Sequence, residues 1–197
     1  MFTGIIESLG VVIGVTQKST QKTFKVSAPF TSELTLGQSI AHNGVCLTVE
    51  KIAKDCTYYV VTAVAETLKK TNLNQLVEGS KINLERCMLA NGRFDGHIVQ
   101  GHVDCITPWI DISTKKGNWL FTFEIPKKKH SLLVEHGSIC INGISLTIAQ
   151  LHANQFTVAI IPFTLKHTTM SLLKKQDPVN IEFDILGKYV ARINAKH

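Results

Sequence analysis

The sequence predicts an all-β protein: two similar small antiparallel β-barrels from a duplicated domain, followed by a short C-terminal helix. Three observations carry this. First, SIAHNGVCLTV at Ser39–Val49 returns as SICINGISLTI at Ser138–Ile148, with six of eleven positions identical. Second, short runs rich in β-branched and aromatic residues, bounded by turn formers, recur along the chain. Third, Asn43-Gly44 and Asn142-Gly143 mark tight hairpins, because Asn and Gly tolerate the positive φ of a type I′ turn. The two copies stand ninety-nine positions apart. Solenoid units repeat every ~20–50 residues, so the repeated unit here is a domain.

In the first copy the strand pattern covers Gly10–Thr16, Thr23–Ala28, Val45–Ile52, Tyr58–Val64 and Ile82–Cys87. In the second it covers Val103–Ile112, Leu120–Ile125, Ile144–Leu151, Phe156–Ile161 and Val179–Ile185. Between the last two strands of each copy lies a more helical piece, Ala65–Leu76 and Phe163–Lys174. Many short strands in fewer than a hundred residues predict a closed barrel, which removes exposed sheet edges. Further echoes keep the order. ETLKKT at 66–71 answers FTLKHT at 163–168, and INLE at 82–85 answers VNIE at 179–182. Near the two starts, Gly4-Ile5-Ile6-Glu7 is paired with His97-Ile98-Val99-Gln100. A seam near Leu89–Arg93, with its Asn91-Gly92 turn, divides the chain into 1–93, 94–186 and a tail 187–197. That tail reads as a short amphipathic helix, with Tyr189, Val190 and Ile193 on one side.

Bulk composition narrows the function. Of 197 residues, 44% are hydrophobic and 18% charged, which is globular rather than disordered. The start MFTGIIESLGVVIGV lacks a basic n-region and carries Glu7, against a signal peptide. No stretch approaches the ~20 apolar residues of a membrane span. Five cysteines without a CxxC fit reduced thiols in a cytoplasmic protein. The net charge of +6 falls in short separated lysine clusters, and aromatics are only 7%, so stacking platforms for nucleic acid are not evident.

Strand side chains alternate faces, so Cys46 and Thr48 share one face while Leu47 and Val49 share the other. Ser145 and Thr147 stand likewise against Leu146 and Ile148. Each copy thus offers a polar pair just past a tight turn, and the copies diverge at the reactive position, thiol against hydroxyl. GHIVQGHVDC at 96–105 collects His97, His102 and Cys105, but its spacing fits none of the common structural zinc patterns, and no metal is expected. Asp184 in NIEFDIL is either a satisfied strand-end group or a positioned charge. No GxGxxG, Walker loop, GxSxG or HExxH is present.

Taken together, MFTGII, AHNGVCLTV, INGISLTI, GHIVQGHVD and NIEFDILGKYV resemble the riboflavin synthase family (alpha-chain type) in motif order over almost the whole length. The resemblance implies two six-stranded barrels, a C-terminal helix at 187–197 that serves oligomerisation, a homotrimer, and a lumazine synthase capsid as a partner. It also implies a reaction without metal or redox cofactor. Two molecules of 6,7-dimethyl-8-ribityllumazine would give riboflavin and 5-amino-6-ribitylamino-uracil by transfer of a four-carbon unit. Cys46 matches the family's important cysteine, Ser145 its counterpart, and His102, Asp184 and Ser39 polar site residues. Which is base and which nucleophile stays open.

The ligand contacts implied are Gly4, Ile5 and Ile6; Cys46, Leu47 and Thr48; and Thr62, Ala63, Val64, Ala65, Glu66 and Thr67. They also include Gly101, His102, Val103, His136, Ser145, Leu146 and Thr147, with Ile161, Pro162, Phe163, Thr164, Leu165 and Lys166. His136 stands where the family often has a lysine. The rival reading is a lumazine- or flavin-binding fluorescent antenna of the same fold, which turns nothing over.

Overall fold

A computed structural model describes residues 1–115 and 117–195. The first copy contains β1 (Ser8–Lys18), β2 (Gln21–Ser27), β3 (Ser39–His42), β4 (Val45–Thr48), β5 (Lys51–Ile52), β6 (Tyr59–Ala63), α1 (Ala65–Lys70) and β7 (Lys81–Arg86). The second contains β8 (Cys105–Lys115), β9 (Asn118–Glu124), β10 (Ser138–Ile141), β11 (Ile144–Leu151), β12 (Gln155–Ile160), α2 (Pro162–His167) and β13 (Pro178–Phe183). Helix α3 (Ile185–Asn194) follows.

The second copy is a closed barrel in the order β10-β11-β12-β9-β8-β13. The first runs β4-β3-β7-β1-β2-β6-β5. Its two end strands are halves of one bent stretch interrupted at Val49 and Glu50, where the Glu50 N–H still donates to Val60 O at 2.9 Å. Both copies therefore follow the same six-stranded course, with one strand broken in the first. All the pairings are antiparallel.

The sequence pattern passed over β3 and β10. Each is four residues long and almost wholly buried, so neither shows the polar–apolar alternation that reveals a half-exposed strand. The helical pieces prove to be one α-turn segment each, followed by 3-10 turns at Asn72–Gln75 and Thr169–Leu172. The C-terminal helix begins two residues before the expected start, because Asp184 caps it: Oδ1 accepts from Leu186 N–H at 2.9 Å. Residues 196–197 of the expected helix lie outside the described residues. Leu186, Tyr189, Val190 and Ile193 are each more than half exposed. No described helix is long and apolar enough to cross a membrane.

Each barrel has its own core, one around Phe24, Tyr59 and Leu84, the other around Phe121, Phe123 and Phe183. A smaller cluster of Phe2, Ala41, Val99 and Cys140 lies between them. Here the repeat acquires a pseudo-twofold axis. Phe2 and Val99 exchange backbone N–H···O bonds of 2.8 and 3.1 Å. Asn43 and Asn142 adopt φ of 46° and 48°, and Gly44 and Gly143 adopt 79° and 82°, as the turn type requires. The two turns touch, and a Cβ on Gly44 would sit 2.7 Å from Gly143 N. Asparagines stitch the barrels reciprocally: Asn180 Nδ2 donates to Asn43 O (2.8 Å) and Asn83 Nδ2 to Asn142 O (2.9 Å).

The symmetry corrects the pairing of the two starts. Phe2 answers Val99 across the axis, and Gly4 answers Gly101, both glycines at φ 79°. The pairing of Gly4 with His97 is therefore four residues out of step. It followed the short apolar similarity of Ile5-Ile6 to Ile98-Val99 and missed the left-handed glycine, which is the real anchor.

Candidate functional site

Cys46 lies on β4 between buried Val45 and Leu47, and its own side chain faces outward, half-buried, on the same face as exposed Thr48. It opens into a cavity of about 160 Å³ lined by Val45, Cys46, Glu66, Thr67, Lys70, Thr71, Gly101, His102 and Val103. Burial pushes the Cys46 thiol above its ordinary pKa, partly offset by a hydrogen bond with Ser39. The group is therefore a neutral thiol near pH 7. At the mouth, Lys70 Nζ and Glu66 Oε1 form an ion pair of 2.6 Å on α1.

The equivalent position in the second barrel is Ser145, again half-buried between buried neighbours. Its Oγ shares a 2.7 Å hydrogen bond with Nδ1 of His97. Burial lowers the His97 pKa, and the charge of Asp184 opposes that. Asp184 thus acts both as helix cap and as a charge on the histidine, so the two readings of it are not exclusive. Where α1 carries Glu66 and Lys70, α2 carries Phe163 and His167, with ring centroids 4.1 Å apart and Phe163 exposed.

Two glycine-centred straps finish these sites, and they cross. Gly101, at the start of the second copy, accepts the Cys46 N–H of the first at 2.9 Å. Gly4, at the start of the first copy, accepts the Ser145 N–H of the second at 2.7 Å. A Cβ on Gly101 would lie 2.6 Å from Cys46 Cβ, and one on Gly4 2.7 Å from Ser145 Cβ, so only glycine permits either approach. Glu182 accepts from the N–H groups of Gln100 (2.7 Å), Gly101 (3.0 Å) and His102 (3.0 Å). Glu85 accepts from Thr3 N–H (2.6 Å), Thr3 Oγ1 (2.8 Å) and Gly4 N–H (2.9 Å). Both carboxylates are buried, which raises their pKa values against the pull of these donors.

The structure brings Cys46, Ser39, Glu66, Thr67, Gly101, His102 and Val103 together around one pocket. It brings Gly4 to Ser145, with Asp184 acting through His97. Leu47 and Leu146 point into the barrel cores and leave only their backbone to a site. Ile6 and Leu165 pack on the second core, Ala63 belongs to the first, and Thr147, Val64, Ala65, Ile5, Ile161, Pro162 and Lys166 are exposed. Thr62 Oγ1 donates to Glu50 on the β2–β6 surface, and Thr164 O accepts from Thr168 Oγ1. His136 stands exposed in the turn before β10, at φ 66°, its N–H donating to Ile148 O.

Sequence reasoning missed His97, Glu85 and Glu182 as site residues. The metal pattern groups His97 with His102, whereas His102 lines the Cys46 cavity and His97 meets Ser145. The repeated INLE/VNIE offered a signal for the glutamates, since a charge kept within an apolar strand must be paired.

A lumazine-binding-domain family model matches residues 3–87 and 100–184. The chain is 38% identical to the riboflavin synthase of Actinobacillus pleuropneumoniae, over 100% of this chain and 91% of that one. It is 39% identical to that of Bacillus subtilis (strain 168), over 98% and 89%, and 40% identical to that of Mycobacterium bovis, over 98% of each. Among solved structures, LumP complexed with 6,7-dimethyl-8-(1'-D-ribityl)lumazine superposes with a TM-score of 0.83 at 21% identity, covering 92% of this chain and 98% of that one. LumP complexed with riboflavin also gives 0.83, at 22% identity, covering 93% and 99%. At such identities the likeness establishes the fold.

Proposed function

The chain belongs to the riboflavin synthase family, and from that premise we propose that each barrel holds one 6,7-dimethyl-8-ribityllumazine, at Cys46 in the first and Ser145 in the second. The reaction is the dismutation of two such molecules into riboflavin and 5-amino-6-ribitylamino-uracil. The observation that carries the two-site reading is the pair of equivalent half-buried positions, Cys46 under the Gly101 strap and Ser145 under the Gly4 strap, built on one plan with different chemistry.

Two identical reactants must play unequal parts, one giving up four carbons and the other accepting them. One lumazine loses a proton from its C7 methyl, and the carbanion delocalises into the electron-poor ring. A nucleophile adds to the other and makes it electrophilic. The rings join, and eliminations release the products. In the Ser145 pocket, His97 with Nδ1 unprotonated accepts the hydroxyl proton, which equips that pocket for addition or proton removal. In the Cys46 pocket, a neutral thiol and the His102 imidazole serve as donors and proton carriers. Holding the rings face to face supplies the proximity term, on the order of 7–11 kcal/mol at best.

A homotrimer would set the first barrel of one protomer against the second barrel of a neighbour. The exposed apolar side of α3 supports an assembly role. Mixing the purified protein with 6,7-dimethyl-8-ribityllumazine and following absorbance tests the activity. Conversion to the riboflavin spectrum is expected, whereas a bright, unchanging bound pigment would make the protein an antenna instead.

A further inference from the structure

We propose that Glu85 and Glu182 are crossed positioning residues: each is anchored in one barrel and holds the strap that completes the other barrel's pocket. The inference rests on the two-pocket reading above.

Glu182 stands on β13 of the second barrel, yet the strap it grips accepts the N–H of Cys46 in the first. Glu85 stands on β7 of the first barrel, and its strap accepts the N–H of Ser145 in the second. Core packing obeys the same exchange. Val103, just past one strap, packs on the first core, and Ile6, just past the other, packs on the second.

The chemistry requires a carboxylate. Adjacent strap N–H groups converge on two oxygens, and charge-assisted bonds of this type are stronger than neutral ones. Glutamine would present its NH2 to one of those N–H donors, donor against donor. Glu85 is 6% and Glu182 2% exposed, so solvent does not replace the lost acceptor. The grip also passes to side chains. His102, whose N–H lies on Glu182, lines the Cys46 cavity. His97 donates its N–H to Thr3 O at 3.1 Å, on the strap held by Glu85, while its ring meets Ser145.

A substitution in one barrel should therefore disable the pocket of the other. The test uses the full chain and a ribityllumazine with oxygen in place of the C7 methyl, which has no methyl proton to lose. Titration counts ligands per chain, and peptide-resolved alkylation of Cys46 reports which pocket is filled. In Glu182→Gln the Cys46 pocket should bind about tenfold more weakly or worse, ligand should cease to protect Cys46, and the Ser145 pocket should keep its affinity. In Glu85→Gln ligand should protect Cys46 as before while the other ligand is lost. Without ligand, the alkylation rate of Cys46 should change in Glu182→Gln and not in Glu85→Gln, a readout that stands even where the ligand is misassigned.

Loss in the carboxylate's own barrel, equal loss in both pockets, or no loss overturns the proposal. Should a Gln variant fail to fold, Glu182→Asp and Glu85→Asp keep the charge and are expected to weaken the same crossed pockets less. An unselective or reversed pattern there overturns it equally. One ligand per chain in the unaltered protein, with the alkylation pattern intact, would instead sink the two-pocket reading alone.

Discussion

Single side chains decide most where the two copies differ. Cys46 and Ser145 hold the same place on equivalent strands, but the thiol opens into the cavity while the hydroxyl is already engaged by His97. Cys46→Ala is expected to lower turnover more than Ser145→Ala, by about tenfold or greater. Steady-state rates on the lumazine decide it, and equal losses would remove the assigned asymmetry. A second difference is buried. His42 in the first core bonds Tyr59 OH at 2.9 Å and Ile40 O at 3.0 Å, where the second core has Ile141 and Phe156. Burial lowers the His42 pKa from 6.5 to about 4. The folded state thus favours the neutral ring, so its contribution is complete above pH 6.5 and is lost as pH falls from 6.5 towards 4. Over that window about 3 kcal/mol of stability should disappear. Denaturant unfolding at a series of pH values should show this loss, and it should be absent in His42→Ile/Tyr59→Phe. The polar pair could not be read from the sequence, because His42 sits in a motif whose partner, Tyr59, lies two strands away around the barrel.

At the scale of elements, alternation exposed the half-buried strands and hid the wholly buried ones. Val45–Ile52 reads as a single strand, and its counterpart Ile144–Leu151 is one, with a register shift between Ile148 and Gln150. In the first copy the same stretch breaks at Val49 and Glu50 instead. The straps were legible only in part. GHIVQGH announces glycine and histidine, but nothing in one strap says that its contact is in the other copy. Gly101 provides a test. It has φ 79° and Cys46 against its missing Cβ, whereas Gly37 has φ 81° with open space around it. Gly37→Ala should therefore show only backbone strain, about 1 kcal/mol. Gly101→Ala should lose about 1–3 kcal/mol plus the displacement of β4, together with binding at Cys46. Melting curves and ligand titration on the two variants separate these effects, and similar behaviour of both would refute the close approach.

Across the whole molecule, the repeat is the basis of the architecture. The two Asn-Gly turns that advertised hairpins also meet at the pseudo-twofold axis, a second use that no single-copy reading predicts. Around them Asn72 N–H donates to Asn180 Oδ1 (2.7 Å) and Thr169 N–H to Asn83 Oδ1 (2.8 Å), so each barrel satisfies buried groups of the other. The barrels are expected to unfold in one cooperative transition. Asn180→Leu, which strands Asn72 N–H and Asn43 O, should cost about 3 kcal/mol, and two resolved transitions in the unaltered protein would contradict the coupling. The shared axis sets Cys46 and Ser145 at equivalent places in one chain, and the proposed function stands on each of them holding a ligand. Equilibrium titration with the oxygen-substituted ribityllumazine tests it most directly. Saturation at two ligands per chain, with unequal affinities, is predicted; saturation at one, with the Ser145 pocket empty, would contradict it.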